Sequence, residues 1–246
     1  MEIKEYIGKE NNLIRLIYGN CMQWMDGIKH YNVGMPDPNY GIGADKPSKK
    51  PCTVKQKNGT ILKVKQKVYS QDNWDSKPAD AKYFDALFSC TDNQIIWGVN
   101  YYDYKFGSGR LVWDKLNGES DQYGCEIAYN SFTPNRTDIV HYLWSGMMQG
   151  ETPSFDANKA LRQIGNKKLN EVRIHPCQKP VILYKWILLK YVPKGSTIID
   201  THGGSFNLAK ACWDLGYSLD ILENSRSQYD TSVESFEQHI KQLTIF

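Results

Sequence analysis

The chain has 246 residues, 41% of them hydrophobic and 13% aromatic, which suits one large α/β domain or two small ones and excludes a disordered tail. A net charge of +3 is too small to argue for nucleic acid by itself. No apolar run reaches the ~20 residues of a membrane span, and the opening stretch MEIKEYIGKENNLIRL lacks the apolar core of a secretory signal, so a cytoplasmic protein is expected.

In chain order, NLIRLIYGN reads as a strand ending near Asn20, and CMQWMDGI suits a short helix. YNVGMP stands where the next strand belongs, although Gly34 and Pro36 weaken it. It runs into Asp37-Pro38-Asn39-Tyr40, followed by Gly41 and Gly43, residues that turns use for steric reasons. From Lys46 to Gln71 eight lysines occur without one acid. KNGT amid alternating residues predicts a two-residue hairpin turn at Asn58-Gly59. This basic run suits either a solvated hairpin or one that faces a phosphate backbone. SKPADAKYFDALFSCT has helical spacing, with Tyr83, Phe84, Leu87 and Phe88 on one side. NQIIWGVNYY, GRLVWDK, CEIAYNSF and DIVHYLWSGM form a strand-rich middle. Residues 149–168 are polar and unpatterned, as in a loop.

QKPVILYKWILLKYV predicts a helix with Pro180 in its first turn. STIID is a strand, GGSFNLAKACWDLG a helix introduced by glycines, YSLDILE a strand, and SQYDTSVESFEQHIKQLTIF a final helix. Strands alternating with helices in the last third argue for a parallel, doubly wound α/β sheet. The six cysteines stand singly, with no C-x-x-C pair, so reduced thiols are expected and a zinc site is not.

The most informative stretch is GSTIIDTHGGSFNLAKACWDLGYSLDILE. A strand ends at Asp200, a glycine turn follows, a helix opens, and a second strand ends on Glu223. An acid about twenty residues past a glycine turn is the spacing of a nucleoside-cofactor site. Gly203 and Gly204 let the backbone approach a ligand, the helix N-terminus offers N–H groups to an anion, and Glu223 can accept both ribose hydroxyls. The G-x-G-x-x-G fingerprint is absent, which argues against NAD.

Three motifs in order carry a resemblance: DPNYG, then HPCQKP, then DTHGGS. Together they resemble the permuted β class of amino-group DNA methyltransferases. There a D-P-P-Y motif comes first and the S-adenosylmethionine motif last, joined through H-P-x-Q-K-P. NQIIWGVNYY and LVWDK are similar to the intervening strands, so the resemblance runs from near Leu16 to Tyr229. It implies one circularly permuted, Rossmann-like methyltransferase domain over residues 1–246, with residues 46–71 as a basic insertion and residues 105–170 as a small target-recognition region. It implies S-adenosylmethionine as cofactor, with Asp200, Gly203, Gly204 and Ser205 at its methionine end and Glu223 on its ribose. Asn20 stands in place of an aspartate that contacts the adenine, and Lys179 would partner the methionine carboxylate. Double-stranded DNA is the implied partner; a homodimer and a cognate restriction nuclease stay open.

An exocyclic amino nitrogen is a weak nucleophile because its lone pair is spread into the ring. By the resemblance, the Asp37 carboxylate and the Pro38 carbonyl would take its two hydrogens and stabilise the charge that develops on it. Tyr40 would stack on a base flipped out of the duplex, an interaction of about 1–3 kcal/mol. Adenine N6 is expected over cytosine N4, because an acid opens the motif where serine is common in the cytosine enzymes. The expected DNA-binding lysines are Lys55, Lys57, Lys63, Lys65 and Lys67. Asn39 stands where the family has the proline that stiffens the turn, and a cofactor- or DNA-binding module without transfer is the alternative. Pro-Cys-Gln also resembles the cytosine-C5 enzymes, but there the cofactor motif comes first, whereas here Cys177 precedes Asp200.

Overall fold

In the computed structural model, which describes residues 1–27, 29–46, 53–55, 58–63, 73–118, 123–145, 148–160 and 170–242, a nine-stranded sheet organises the chain. Its first part holds β1 (Glu2–Ile7), β2 (Leu13–Tyr18), helix α1 (Cys21–Met25) and β3 (Tyr31–Gly34). A separate hairpin, β4 (Thr53–Lys55) and β5 (Ile61–Lys63), precedes α2 (Ala81–Ser89) and β6 (Thr91–Trp97). Then come β7 (Arg110–Asp114), β8 (Cys125–Asn130), β9 (Thr137–His141) and the small pair β10 (Trp144–Ser145) and β11 (Met148–Gln149). The last third alternates α3 (Val181–Tyr191), β12 (Thr197–Asp200), α4 (Asn207–Leu215), β13 (Ser218–Glu223) and α5 (Arg226–Gln242).

The sheet order is β1-β2-β13-β12-β3-β6-β8-β7-β9, and of these only β1 and β8 run against the rest. The mostly parallel, doubly wound α/β architecture is therefore as expected. Successive strand residues bury on opposite faces. Leu16, Ile95, Ile198 and Ile221 pack with α3, α4 and α5, while Ile17, Ile96, Ile199 and Leu222 pack with α1 and α2. Burial on both faces is why these strands read as continuous apolar runs.

Gly34 and Pro36 do not break β3, which pairs with β12 on one side and β6 on the other. A Cβ on Gly34 would come 3.1 Å from Leu87 Cδ1 and 3.2 Å from Thr91 Cγ2, so the glycine lets α2 lie close. Pro36 follows the last paired residue, and its carbonyl accepts the Trp97 N–H at 3.2 Å. Strand β1 has no counterpart in the sequence reading. It is a charged edge strand, EIKEYI, whose side chains stay largely in solvent, and edges of this kind carry little apolar signal.

A hairpin forms in the lysine run, with Thr53 opposite Lys63 and Lys55 opposite Ile61, but this register leaves an odd number of residues between the paired ends and so does not fit the expected two-residue turn at Asn58-Gly59. Gly59 has φ 83°, and the Asn58 side chain accepts the Thr60 N–H at 3.1 Å. Lys57, Lys65 and Lys67 lie outside the described residues. Within residues 105–170, β7, β8 and β9 extend the main sheet, and β10 and β11 form a separate two-stranded pair. None of the described helices is long and apolar enough to cross a membrane.

Strands β3 and β12 are neighbours, yet their connections leave in opposite directions, β3 toward β6 and β12 toward β13. Such a switch point opens a crevice at the carboxyl ends of the strands, where open α/β sheets bind ligands. Asp37 follows one of these ends and Asp200 closes the other.

Candidate active site

The floor of the crevice is the bend after β12. Asp200 accepts the His202 N–H at 3.0 Å and turns the chain. Gly203 comes next, and any Cβ there would collide with the Phe206 ring, so packing within the chain requires the glycine. Gly204 has φ +51°, in the left-handed region, and the space beside it ends at the His175 ring, 3.7 Å from an added Cβ. The Gly204 N–H donates to Glu223 at 3.0 Å, and its carbonyl accepts from Gln228 and Ser232 of α5 at 3.0 and 2.6 Å. Glu223 also accepts the Ser225 N–H at 2.8 Å. The carboxylate at the end of β13 thus fixes the bend at the end of β12. Helix α4 opens after Phe206 with no side-chain cap, which leaves its first N–H groups to other acceptors.

Asp37 stands at the other end. One of its oxygens accepts the Tyr40 hydroxyl at 2.6 Å, and the other is ion-paired with Lys179. The Lys179 side chain is 1% exposed and also contacts Glu126 of β8 at 2.9 Å. Glu126 in turn pairs with Lys115 at 2.6 Å. A row of alternating charges, Lys115–Glu126–Lys179–Asp37, therefore runs beneath the motif, with the Lys179 ammonium 4.9 Å from the centre of the Trp97 ring. Asn207, the first residue of α4, donates to the Lys179 carbonyl at 2.7 Å and so ties this row to the glycine bend.

Burial and charge set the protonation of these groups. Burial raises the Asp37 carboxyl above its ordinary range; the Lys179 ammonium pulls it down and the Glu126 charge pushes it up. Burial also opposes the charge on Glu126, but the Lys179 and Lys115 ammonium groups prevail and hold it at about 2. Burial disfavours the Lys179 charge, yet its two carboxylate partners keep it protonated, above its ordinary range. Burial pushes Asp200 up to about 8 and lowers His175 and His202 to about 4, so both imidazoles are neutral at pH 7.

The two ends share one cleft, about 1050 Å³ of empty space counted out to its mouth. Asp37, Pro38, Tyr40, Lys179, Gly203, Gly204, Ser205 and Glu223 all line it. A glycine bend, a carboxylate at the end of the next strand and an uncapped helix start suit a nucleoside with a charged tail, so the residues present fit S-adenosylmethionine.

Several expected roles need correction. Lys179 is not available to a methionine carboxylate, because Asp37 and Glu126 already hold its ammonium. The Asn20 side chain is exposed and caps α1 by accepting the Met22 N–H at 2.8 Å; Gly19 and Cys21 on either side of it line the cleft. Asp200 lies buried beneath the bend and does not line the cleft. The Tyr40 ring stacks on Tyr101 with centroids 4.7 Å apart, so that face is already taken, and a Cβ on Gly98 would overlap the ring.

Sequence reasoning missed Lys115, Glu126 and Tyr102, whose hydroxyl donates to the Pro38 carbonyl at 2.8 Å. A signal existed for Glu126, an acid set inside the strand CEIAYN. None existed for Tyr102, one tyrosine among many.

A model of the N6/N4 DNA methylase family matches residues 37–234, a range that contains both ends of the cleft. The Type II methyltransferase M2.MboI of Moraxella bovis is 23% identical over 279 aligned residues, which cover 98% of this chain and 97% of that protein. Among solved structures, the M1.HpyAVI–SAM complex aligns over 90% of this chain and 99% of its own, with 14% identity and a TM-score of 0.48. The PvuII DNA methyltransferase (cytosine-N4-specific) aligns over 93% of this chain and 92% of its own, with 10% identity and a TM-score of 0.47. With its family match running from the Asp37 motif to beyond Glu223, the chain belongs to the N6/N4 DNA methylase family and is a DNA amino-methyltransferase that uses S-adenosylmethionine.

Proposed function

We propose that the chain methylates the exocyclic amine of a base turned out of double-stranded DNA, adenine N6 in preference to cytosine N4. The observation that carries this reading is the shared cleft, with the acceptors of Asp37 and Pro38 at one end and the glycine bend with Glu223 at the other. S-adenosylmethionine supplies an activated, positively charged methyl donor when bound.

The protein's own part is to hold the amine. A carboxylate has about four acceptor sites and a carbonyl two. Tyr40 and Lys179 fill two on Asp37, and Tyr102 fills one on Pro38, so each group keeps room for an amine hydrogen. Taking both hydrogens returns the lone pair to the nitrogen and stabilises the positive charge that builds there. Lys179 acts on Asp37, its charge favouring the carboxylate form against the effect of burial. Gly203, Gly204 and Ser205 would hold the methionine end and Glu223 the ribose. Tyr40 would receive the base once Tyr101 moves aside; stacking at about 1–3 kcal/mol is comparable with the cost of flipping the base. The basic hairpin would follow the phosphate backbone, and loops within residues 105–170 would read the target. The preference for adenine rests on the acid that opens the motif.

A second reading, binding without transfer, is favoured by the internal donors already on both acceptors. Transfer of labelled methyl to unmethylated DNA, followed by nucleoside analysis, separates the two. The expected product is N6-methyladenine, with Asp37→Ala at least about 100-fold slower and cofactor binding retained. Binding with no transfer supports the second reading, N4-methylcytosine reverses the base preference, and labelled RNA or protein in place of DNA sinks the proposal.

A further inference from the structure

Asn39 lies between the residues that carry the two acceptors and Tyr40, and it is tied down from outside the motif. Its side-chain Nδ2 donates to the Trp74 carbonyl at 2.6 Å, and its own carbonyl accepts the Ala79 N–H at 3.2 Å. The buried carboxylate of Asp75 takes the N–H groups of Gly41, Ile42 and Ala44 at 2.7, 3.2 and 2.8 Å. The Asp75 carbonyl takes the Gly43 N–H at 3.1 Å, and Tyr40 bridges to Pro78. The loop after Asp37 is thereby laced to a segment that returns only after the basic hairpin. The Trp74 ring of that segment packs 5.0 Å from His175, beside the Gly204 bend.

One bond in this lacing bears on chemistry. The Pro38 carbonyl and the Asn39 nitrogen share a single rigid peptide plane. Where Asn39 is held decides where that carbonyl points, and a positioned acceptor loses its effect when misplaced by a fraction of an ångström. A proline at position 39 would restrain the same plane covalently, by fixing its own φ and confining Pro38 to extended ψ. Among the described residues the Asn39 N–H has no acceptor, so a proline there sacrifices no hydrogen bond.

We propose that Asn39 is a positioning residue whose side-chain bond to the Trp74 carbonyl, backed by Asp75, aims the Pro38 carbonyl at the target amine. This rests on the reading above that the Pro38 carbonyl accepts an amine hydrogen. The test compares Asn39→Ala, Asn39→Asp and Asn39→Pro in the full chain, by kcat, KM for DNA, cofactor Kd and Tm. Asn39→Ala removes the donor, and Asn39→Asp removes it at nearly constant size. Both should lower kcat about tenfold while KM, Kd and Tm stay close to the parent. Asn39→Pro, which also lacks the donor, should recover most of the lost kcat. A parent-like kcat in Asn39→Ala overturns the proposal, as does a loss carried by KM. An Asn39→Pro as slow as Asn39→Ala overturns it too. If the parent itself transfers no methyl, the functional reading falls and takes this one with it; an active parent with an unaffected Asn39→Ala removes only the positioning role.

Discussion

At the scale of the residue, the charge row under Asp37 governs whether its carboxylate is available as an acceptor. Glu126 pushes the Asp37 carboxyl up, whereas Lys179 pulls it down, and Glu126 also shares the Lys179 ammonium. Glu126→Gln removes the charge that opposes ionisation and frees Lys179 to pair with Asp37 alone. The acidic limb of the kcat/KM profile should therefore move to lower pH; an unmoved or upward-shifted limb would show that Asp37 does not set it. Lys179 also shows the limit of reading residues one by one. Its place in HPCQKP was visible, and a nearby cofactor carboxylate was a reasonable partner. Its actual partners lie 142 residues away at Asp37 and on β8, and no local pattern announces a buried counter-charge at that separation.

At the scale of the element, the bend between β12 and α4 makes two separable predictions. Gly203→Ala must displace the Phe206 ring or the bend itself, since both cannot occupy the space. Cofactor affinity should fall by about tenfold or more, the order expected of a 1–3 kcal/mol overpacking strain. Calorimetric titration reads this, and unchanged affinity would mean that the bend does not carry the cofactor. Asp200 makes the second prediction. Buried and raised to about 8, it keeps its proton in the folded chain over a range in which the unfolded carboxyl, near 4, has lost it. Its contribution to stability is full below the unfolded value and is lost as pH rises through about 8. Asn at this position keeps an acceptor for the His202 N–H without titrating. Melting curves of the apoprotein should fall between about pH 5 and about pH 9 for the parent and stay flatter for Asp200→Asn. Parallel curves would refute the assignment. The bend was legible because its glycines, its strand and its closing acid are contiguous, but the reason for Gly203 was not. The sequence suggested room for a ligand, and the fold shows room for Phe206.

At the scale of the whole molecule, a nearly neutral chain concentrates eight lysines in residues 46–71, between β3 and α2. If that insertion follows the DNA backbone, replacing Lys55, Lys57, Lys63, Lys65 and Lys67 by Gln should weaken binding to all sequences alike. The salt slope should flatten by about 0.9 for each phosphate that is no longer neutralised, read from affinity at several salt concentrations; an unaltered slope would place the DNA elsewhere. By itself the sequence determined the apolar runs of the parallel strands, the alternation of strand and helix, the order of the three motifs and the turn chemistry at each. All of these are carried by residues near one another in the chain. Only the tertiary structure decided which charges meet, that Tyr101 and Tyr102 cover the motif, and that Asn39 is anchored to Trp74. Those pairings join residues brought together by folding, and a buried polar group takes whichever partner the packed chain places within reach.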